Sequence, residues 1–141
     1  MNKFFFGILF FIMLLSGIEA LPLQPVAGMW EGMDKNGKKV AFLFEENGYL
    51  TIISGEYIAG GQNFVSSGER SSIRYSFNFD EKPNTMDMEL KKGKKKSMVR
   101  AIVKLIDPNR LLIYSKGVAK KRPEKFGFND PNNLLILFRK K

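Results

Sequence analysis

Apolar and polar residues alternate along most of the chain in short runs that are separated by turn residues. The clearest run extends from Ile73 to Phe79, where every second residue is apolar and the residues between them are Arg, Ser and Asn. Alternation with a period of two is typical of a β-strand with one buried face. The same pattern predicts eight strands, at residues 30–34, 39–45, 49–53, 73–79, 86–90, 97–106, 111–115 and 134–139.

The residues between these runs favour tight turns. Asn36-Gly37 and Asn47-Gly48 each separate two β-rich runs, and this dipeptide favours two-residue hairpins because both turn positions need positive φ. Pro83 and Pro108 occupy the second position of two further turns. No segment of ten residues or more has a convincing amphipathic helical pattern. The sequence therefore predicts an all-β protein in which successive strands pair antiparallel.

Eight strands in one meander can close on themselves, which removes exposed sheet edges. The prediction is an eight-stranded antiparallel up-and-down barrel, with residues 66–72 in a Ser- and Gly-rich loop. An open sandwich is the alternative. It needs a long crossing connection, and only residues 60–72 and 116–133 are long enough to form one.

The first 20 residues have the composition of a secretory signal peptide. Lys3 precedes an apolar run of 12 residues, 4–15, and small and polar residues follow it. We expect cleavage after Ala20, which leaves residues 21–141 as one domain exported to the periplasm or outside the cell. An uncleaved N-terminal anchor is the alternative, although the run is short for a helix that spans a bilayer.

Composition removes several classes of chemistry. The chain has no cysteine and no histidine, which excludes disulfides, thiolate nucleophiles, Ser-His-Asp triads and zinc sites built on these residues. Asp87 and Glu89 share a strand face, but that face is the polar one, where solvent weakens any acid–base role. We therefore expect a non-enzymatic protein without a metal or cofactor.

Several short motifs are distributed over residues 26–139. They are Gly28-x-Trp30, Asp80-x-x-Pro83 followed by Met86-Asp87-Met88, Arg122-Pro123-x-x-Phe126, and Arg139 near the C-terminus. Together they resemble a group of exported bacterial lipocalin-like proteins, and Gly-x-Trp resembles the opening motif of lipocalins and fatty-acid-binding proteins. The resemblance implies a β-barrel. The chain departs from the group at Ala101-Ile102-Val103, where the group has Gly, an aliphatic residue and Tyr.

The same residues suggest how one end of such a barrel is filled. We expect Trp30 to fill one end, Arg139 to stack on its indole, and Gly28 to let the chain pass close to that end. Arg122, Pro123 and Phe126 are expected to fasten the long loop over an end of the barrel. A ligand contact is the competing interpretation for Trp30 and Arg122.

The barrel interior has two interpretations. The mature chain holds enough phenylalanine to fill a narrow barrel, which favours a packed core. Alternatively, the interior holds an apolar pocket for a lipid-like or aromatic small molecule, with methionine as an adaptable lining. Leu50 and Met86 are further inward candidates, and the residues predicted to contact such a ligand are Phe42, Phe44, Ile52, Tyr75, Phe77 and Met88.

Charge adds a second candidate surface. The formal net charge is +9, and lysines concentrate in the turn at residues 91–96. The turn is either a solvated hairpin tip or a surface that contacts anionic lipid or envelope polymer through Lys92, Lys94, Lys95 and Lys96. Nucleic acid is not an expected partner, because the chain is predicted to be exported and has no basic motif interleaved with aromatic residues.

Overall fold

The computed structural model describes residues 25–141, which form ten β-strands and, within that range, no helix. The predicted signal peptide and its cleavage after Ala20 lie outside the described residues. The strands are β1 (Gly28–Met33), β2 (Lys39–Phe44), β3 (Leu50–Ser54), β4 (Tyr57–Gly60), β5 (Phe64–Ser66), β6 (Glu69–Asn78), β7 (Asn84–Lys92), β8 (Lys95–Asp107), β9 (Arg110–Val118) and β10 (Leu134–Arg139).

All ten strands belong to one antiparallel sheet with the order β4-β3-β2-β1-β10-β9-β8-β7-β6-β5. The first and last strands pair with each other, so β4 and β5, the two edges, follow one another in the chain. The sheet nearly closes there: Tyr49 pairs with Arg74, and the Ile73 amide donates to the Gly61 carbonyl oxygen at 3.1 Å. The molecule is therefore a nearly closed antiparallel barrel, as the strand pattern predicts, and not a sandwich.

The prediction of eight strands is wrong, because the chain between the predicted strands 49–53 and 73–79 contains two more. β4 pairs with β3, and Phe64–Ser66 pairs with the start of β6, which begins at Glu69 and not at Ile73. Backbone pairing needs no apolar alternation, so a Ser- and Gly-rich segment can join a sheet without showing a strand pattern. Gly60, with φ of +126°, and Gly61 bend the chain between the two short strands.

The inner face of the sheet forms the hydrophobic core. The pairing register places Trp30 beside Phe42, and Phe77 beside Met86, on the side that is shielded from solvent. The core contains the side chains of Val26, Trp30, Val40, Phe42, Phe44, Leu50, Ile73, Tyr75, Met86, Ala101, Val103, Leu111, Ile113 and Leu137.

The two ends of the barrel differ. We call the end where β1 begins and β10 finishes the closed end, because the fully buried Trp30 and Phe44 lie there. We call the other end, where β1 finishes and β10 begins, the open end. The open end includes the β1–β2 turn, the β7–β8 turn and the last residues of the loop that precedes β10.

The loop between β9 and β10, residues 119–133, packs against the outer wall of the barrel. It covers outward-facing side chains of β8 and β9, so Ile102 is fully buried and Tyr114 is 4% exposed. The expectation that Arg122, Pro123 and Phe126 fasten this loop over an end of the barrel is wrong, because Arg122 and Phe126 hold it against the wall and only its last residues reach the open end. The physical reason is that the outward face of β8 and β9 is apolar here and needs a cover.

Candidate functional site

A cavity of about 410 Å³ opens at the open end of the barrel. Its apolar lining comes from the inward faces of five strands, namely β2, β7, β8, β9 and β10. The lining side chains from these strands include Phe42, Met88, Val99, Ile113 and Leu135. A cavity of this volume with an apolar lining can bury a hydrophobic molecule away from water.

Polar residues surround the mouth of the cavity. Asp34, Lys35 and Asn36 come from the β1–β2 turn, and Asn132 and Asn133 come from the loop before β10. The Asp34 carboxylate accepts hydrogen bonds from the amides of Asn36 and Lys38 at 2.8 and 2.9 Å, so it fixes its own turn. The rim therefore offers neutral amides and one lysine ammonium to the polar end of a ligand.

Asp130 holds the loop side of the rim in place. Its Oδ2 atom accepts hydrogen bonds from Tyr114, Lys116 and Asn133 at 2.8–2.9 Å. The hydrogen bonds from Asn133, Lys116 and Tyr114 lower the pKa of Asp130 from 3.8 to about 2. Because Asn133 is itself a rim residue, this ionised carboxylate positions part of the cavity mouth.

The six predicted ligand-contacting residues all belong to the core cluster or pack against it. Phe42 and Met88 also line the cavity. Ile52, Phe44, Tyr75 and Phe77 do not line it; they contribute to the apolar interior away from the mouth. The predicted set is thus placed together on the inner face, but only two of its members reach the candidate site.

Three of the other four residues pack on one another. The ring centroids of Phe44, Tyr75 and Phe77 are 5.0–5.6 Å apart in edge-on arrangements. The Tyr75 hydroxyl donates to the carbonyl oxygen of Glu45. Burial raises the pKa of Tyr75, as do the charges of Glu45 and Glu46, so its hydroxyl stays protonated and remains this donor.

The closed end is built around Trp30 and Arg139. The indole N–H donates to the Val26 carbonyl oxygen at 2.9 Å, and the Arg139 guanidinium lies 4.3 Å from the centroid of the Trp30 ring. Arg139 also donates to the carbonyl oxygens of Pro25, Ala27 and Pro108. It therefore ties the start of the described chain and the β8–β9 turn to the indole.

Two glycines allow β1 to run close to the last strand. Gly28 has φ of +117° and lies beside the Arg139 guanidinium. A Cβ atom at Gly32 would overlap the carbonyl oxygen of Ile136, so this position needs glycine because of the neighbouring backbone. Gly28, Trp30 and Arg139, the predicted plug residues, thus lie together at the closed end.

The remaining motifs meet on the outer wall. Arg122 donates to the Asp87 carboxylate at 2.7 Å and to the Ala101 carbonyl oxygen at 2.9 Å. Pro123 lies near Pro83 in a second cleft, and Phe126 packs against Tyr114 with centroids 6.3 Å apart. Arg122 therefore fastens the loop to β7 and β8 on the side of the barrel away from the cavity.

The four predicted anionic-surface lysines lie at the β7–β8 hairpin. Lys92 pairs directly with Lys95, and Lys96 pairs with Lys91, so like charges face each other across the hairpin. Among residues 25–141, none of the lysines 92, 94, 95 and 96 forms a salt bridge. Like charges directly opposite in a sheet are destabilising. The Glu69 carboxylate lies beside Gly93 in this turn but forms no salt bridge with the four lysines.

Sequence reasoning missed most of the cavity lining. Ile113 and Leu135 lie in uniformly apolar stretches of β9 and β10, where alternation does not show which side faces inward. In β8, Met98 and Ile102 are apolar like Val99 and interrupt the alternation with Arg100 and Lys104. The rim residues Asn132 and Asn133 lie in a loop without regular pattern. Pairing register could have assigned the lining, since Val99 is the partner of Met88.

Other kinds of site find little support in the part of the chain that the structure describes. No group of three or more acidic residues there is arranged to hold a metal ion. Residues 25–141 also include no helix of the length and apolar character needed to cross a bilayer.

The sequence was compared with known families and proteins. No family model matches it, and neither the search of curated proteins nor the search of solved structures gives a significant match. The lipocalin-like resemblance therefore remains a prediction from short motifs, while the barrel itself is established by the strand pairing.

Proposed function

We propose that the protein is a non-enzymatic binding barrel for a small hydrophobic or lipid-like ligand. The observation that carries the proposal is the apolar cavity at the open end, with its polar rim. Its volume of about 410 Å³ lies within the range of roughly 300–1,000 Å³ that is usual for small-molecule pockets. Barrel width grows with strand number, so ten strands also provide more interior room than eight.

The arrangement of the lining defines the class of ligand. An apolar tail would pack against Phe42, Met88 and Ile113, while a neutral or anionic head would remain at the mouth beside Lys35 and the side-chain amides. Met88 is unbranched and flexible, which suits a wall that adapts to different tails. Export of residues 21–141 would place this binding barrel in the periplasm or outside the cell.

The test is titration of the purified protein with the neutral apolar dye N-phenyl-1-naphthylamine, followed by displacement with fatty acids. Met88→Trp places a large side chain in the cavity and should weaken dye binding by about tenfold or more. Met98→Trp is the matched control, because Met98 lies on the adjacent strand and faces outward. Thermal melts of both variants establish that each is folded.

Two results would contradict this function. One is the absence of saturable dye or fatty-acid binding by the wild-type chain. The other is equal affinity in the two tryptophan variants, which would place the dye somewhere other than the cavity.

A second candidate function follows from the basic hairpin. The cross-strand lysine pairs favour contact with an anionic lipid or polymer surface, which would neutralise them. Replacing Lys92, Lys94, Lys95 and Lys96 with Ser should weaken retention on immobilised heparin and lower its salt dependence. Replacing Lys104, Lys120, Lys121 and Lys125 with Ser removes the same charge elsewhere, and equal losses in both variants would contradict a specific role for the hairpin.

A further inference from the structure

The outer surface of the barrel has an apolar wall beside the seam between β1 and β10. Met33 is 67% exposed, Phe138 is 52% exposed and Ile136 is 42% exposed. Together with Leu134 they line a shallow cleft of about 680 Å³ on the outside of the barrel. Exposed apolar residues gathered in one patch, unlike scattered ones, mark a contact surface.

The pattern of β10 distinguishes this wall from an ordinary strand surface. Residues 134–138 are all apolar, and Leu137 faces the core while its neighbours Ile136 and Phe138 face solvent. A strand that is apolar on both faces is typical of one that is covered on both faces. On β8 and β9 the loop at residues 119–133 supplies the cover, whereas no described segment covers Ile136 and Phe138.

The charged residues around the apolar wall indicate which kind of partner covers it. Lys39 and Lys140 lie beside the wall and both pair with Glu31 at 3.4 Å, so the carboxylate in the cleft is already neutralised. Burial pushes the pKa of Glu31 upward, but the charges and hydrogen bonds of Lys39 and Lys140 outweigh it and hold the pKa below its usual value. The border therefore presents an excess of positive charge around apolar side chains.

We propose that the wall formed by Met33, Leu134, Ile136 and Phe138 docks on an anionic lipid bilayer. The apolar side chains would enter the interfacial region, and the bordering lysines would contact the headgroups. A second copy of the chain fits less well, because a net charge of +9 and two lysine borders would repel each other.

The wall is a different surface from the basic hairpin. β7 and β8 lie on the far side of β9 and β10 from β1 in the sheet order. Met33 and Leu134 also border the cavity mouth, so a bilayer at this wall would lie beside the opening. The docking proposal stands without a ligand in the cavity, because it rests on the outer side chains.

The experiment measures co-flotation of the purified protein with phosphatidylcholine vesicles, with and without phosphatidylglycerol. The wild type should bind the anionic vesicles, and Ile136→Ser with Phe138→Ser should weaken binding by about tenfold or more, since two apolar side chains lose their burial. Ile58→Ser with Val65→Ser is the matched control, because these residues are exposed apolar side chains on β4 and β5, away from β1 and β10 in the sheet. That control should retain most of the binding.

A second measurement detects insertion without removing apolar surface. The new indole in Phe138→Trp should show quenching by lipids brominated on their acyl chains, while the one in Val65→Trp and the buried native Trp30 should not. The proposal is overturned if the wild type does not bind anionic vesicles, if the wall variant binds as the wild type does, or if the fluorescence of Phe138→Trp is not quenched. A concentration-dependent dimer that the wall variant abolishes would also overturn it, because the cover would then be a second copy.

Discussion

The closed and open ends of the barrel are formed by the same strands but are packed differently. At the closed end, Trp30, Phe44 and Met86 are fully buried, and aromatic rings contact one another directly. At the open end, Met88 and Leu135 are partly buried and border a cavity of about 410 Å³.

We expect this difference to separate stability from the proposed ligand binding. Close packing at one end supplies the burial that holds a chain without disulfides together. The other end leaves apolar side chains incompletely packed, which lowers stability but leaves room for a ligand. Three predictions test whether the two ends divide these roles, and they follow in order of decreasing effect.

The largest effect is expected at Trp30. Trp30→Ala removes a fully buried indole, its hydrogen bond to Val26 and the surface on which Arg139 stacks. We expect the free energy of unfolding to fall by about 3–5 kcal/mol, which is the usual range for such truncations. Urea denaturation followed by circular dichroism measures the change.

A milder variant covers the case in which the alanine variant does not fold. Trp30→Phe keeps an aromatic ring but removes the N–H donor to Val26. It should lower stability by less than the alanine variant while leaving dye binding unchanged, because Trp30 does not line the cavity. A loss below about 1 kcal/mol for Trp30→Ala would show that the indole does not hold the closed end.

The second effect compares two methionines on one strand. Met86 and Met88 face the same side of β7, but Met86 is fully buried and Met88 borders the cavity. Met86→Ala should lower the free energy of unfolding by about 2–5 kcal/mol. Met88→Ala should lower the free energy of unfolding clearly less, because it removes atoms from a surface that is already incompletely packed. Parallel urea titrations of both variants measure the difference.

Ligand affinity should follow the opposite order. Met88→Ala changes the cavity lining and should alter dye affinity, whereas Met86→Ala should leave it unchanged as long as the variant is folded. Equal stability losses for the two alanine variants would mean that the two ends are packed alike. The division of roles between the ends would then be wrong.

The sequence was sufficient to predict the class of fold because the patterns that define it are local. Alternation at 73–79 and the Asn-Gly dipeptides predict strands and hairpins, and the short motifs at the two termini of the domain predict that Trp30 and Arg139 lie together. The number of strands was not predictable in the same way. Phe64–Ser66 is a strand because β6 lies beside it, and that pairing leaves little trace in its own residues.

The candidate site was harder to predict than the fold. Met88 stands in an alternating run that indicates its inward face, whereas Phe42 and Ile113 stand in runs that are apolar on both faces. Phe42 is predicted only as an aromatic residue of such a run, and around Val99 the apolar residues Met98 and Ile102 interrupt the alternation. The second apolar face of β8 and β9 exists because the loop at residues 119–133 covers it, as the burial of Ile102 and Tyr114 shows. A tertiary contact of this kind removes the periodic signal from which the inward face would be read.

The smallest effect concerns the rim of the open end, and it depends on pH. Asp130 has a pKa of about 2 in the folded protein and 3.8 as its ordinary value, so its hydrogen bonds stabilise the fold fully above about pH 4. This contribution is lost as the pH falls towards 2, because the carboxylate becomes protonated in both the folded and the unfolded chain. Asp130→Asn should therefore lower the melting temperature near neutral pH, and its difference from the wild type should shrink as the pH falls to 2.

Asp80→Asn is the matched control at the closed end. Among residues 25–141 no group donates a hydrogen bond to the Asp80 carboxylate, so this variant should show no such convergence with the wild type. Hydrogen exchange adds a local readout, because the Asn133 amide donates to the Asp130 carbonyl oxygen and should exchange faster when the loop loosens. If the difference in melting temperature between Asp130→Asn and the wild type stays constant from neutral pH to pH 2, and hydrogen exchange at Asn133 is unchanged, the rim is held by packing alone, as the closed end is.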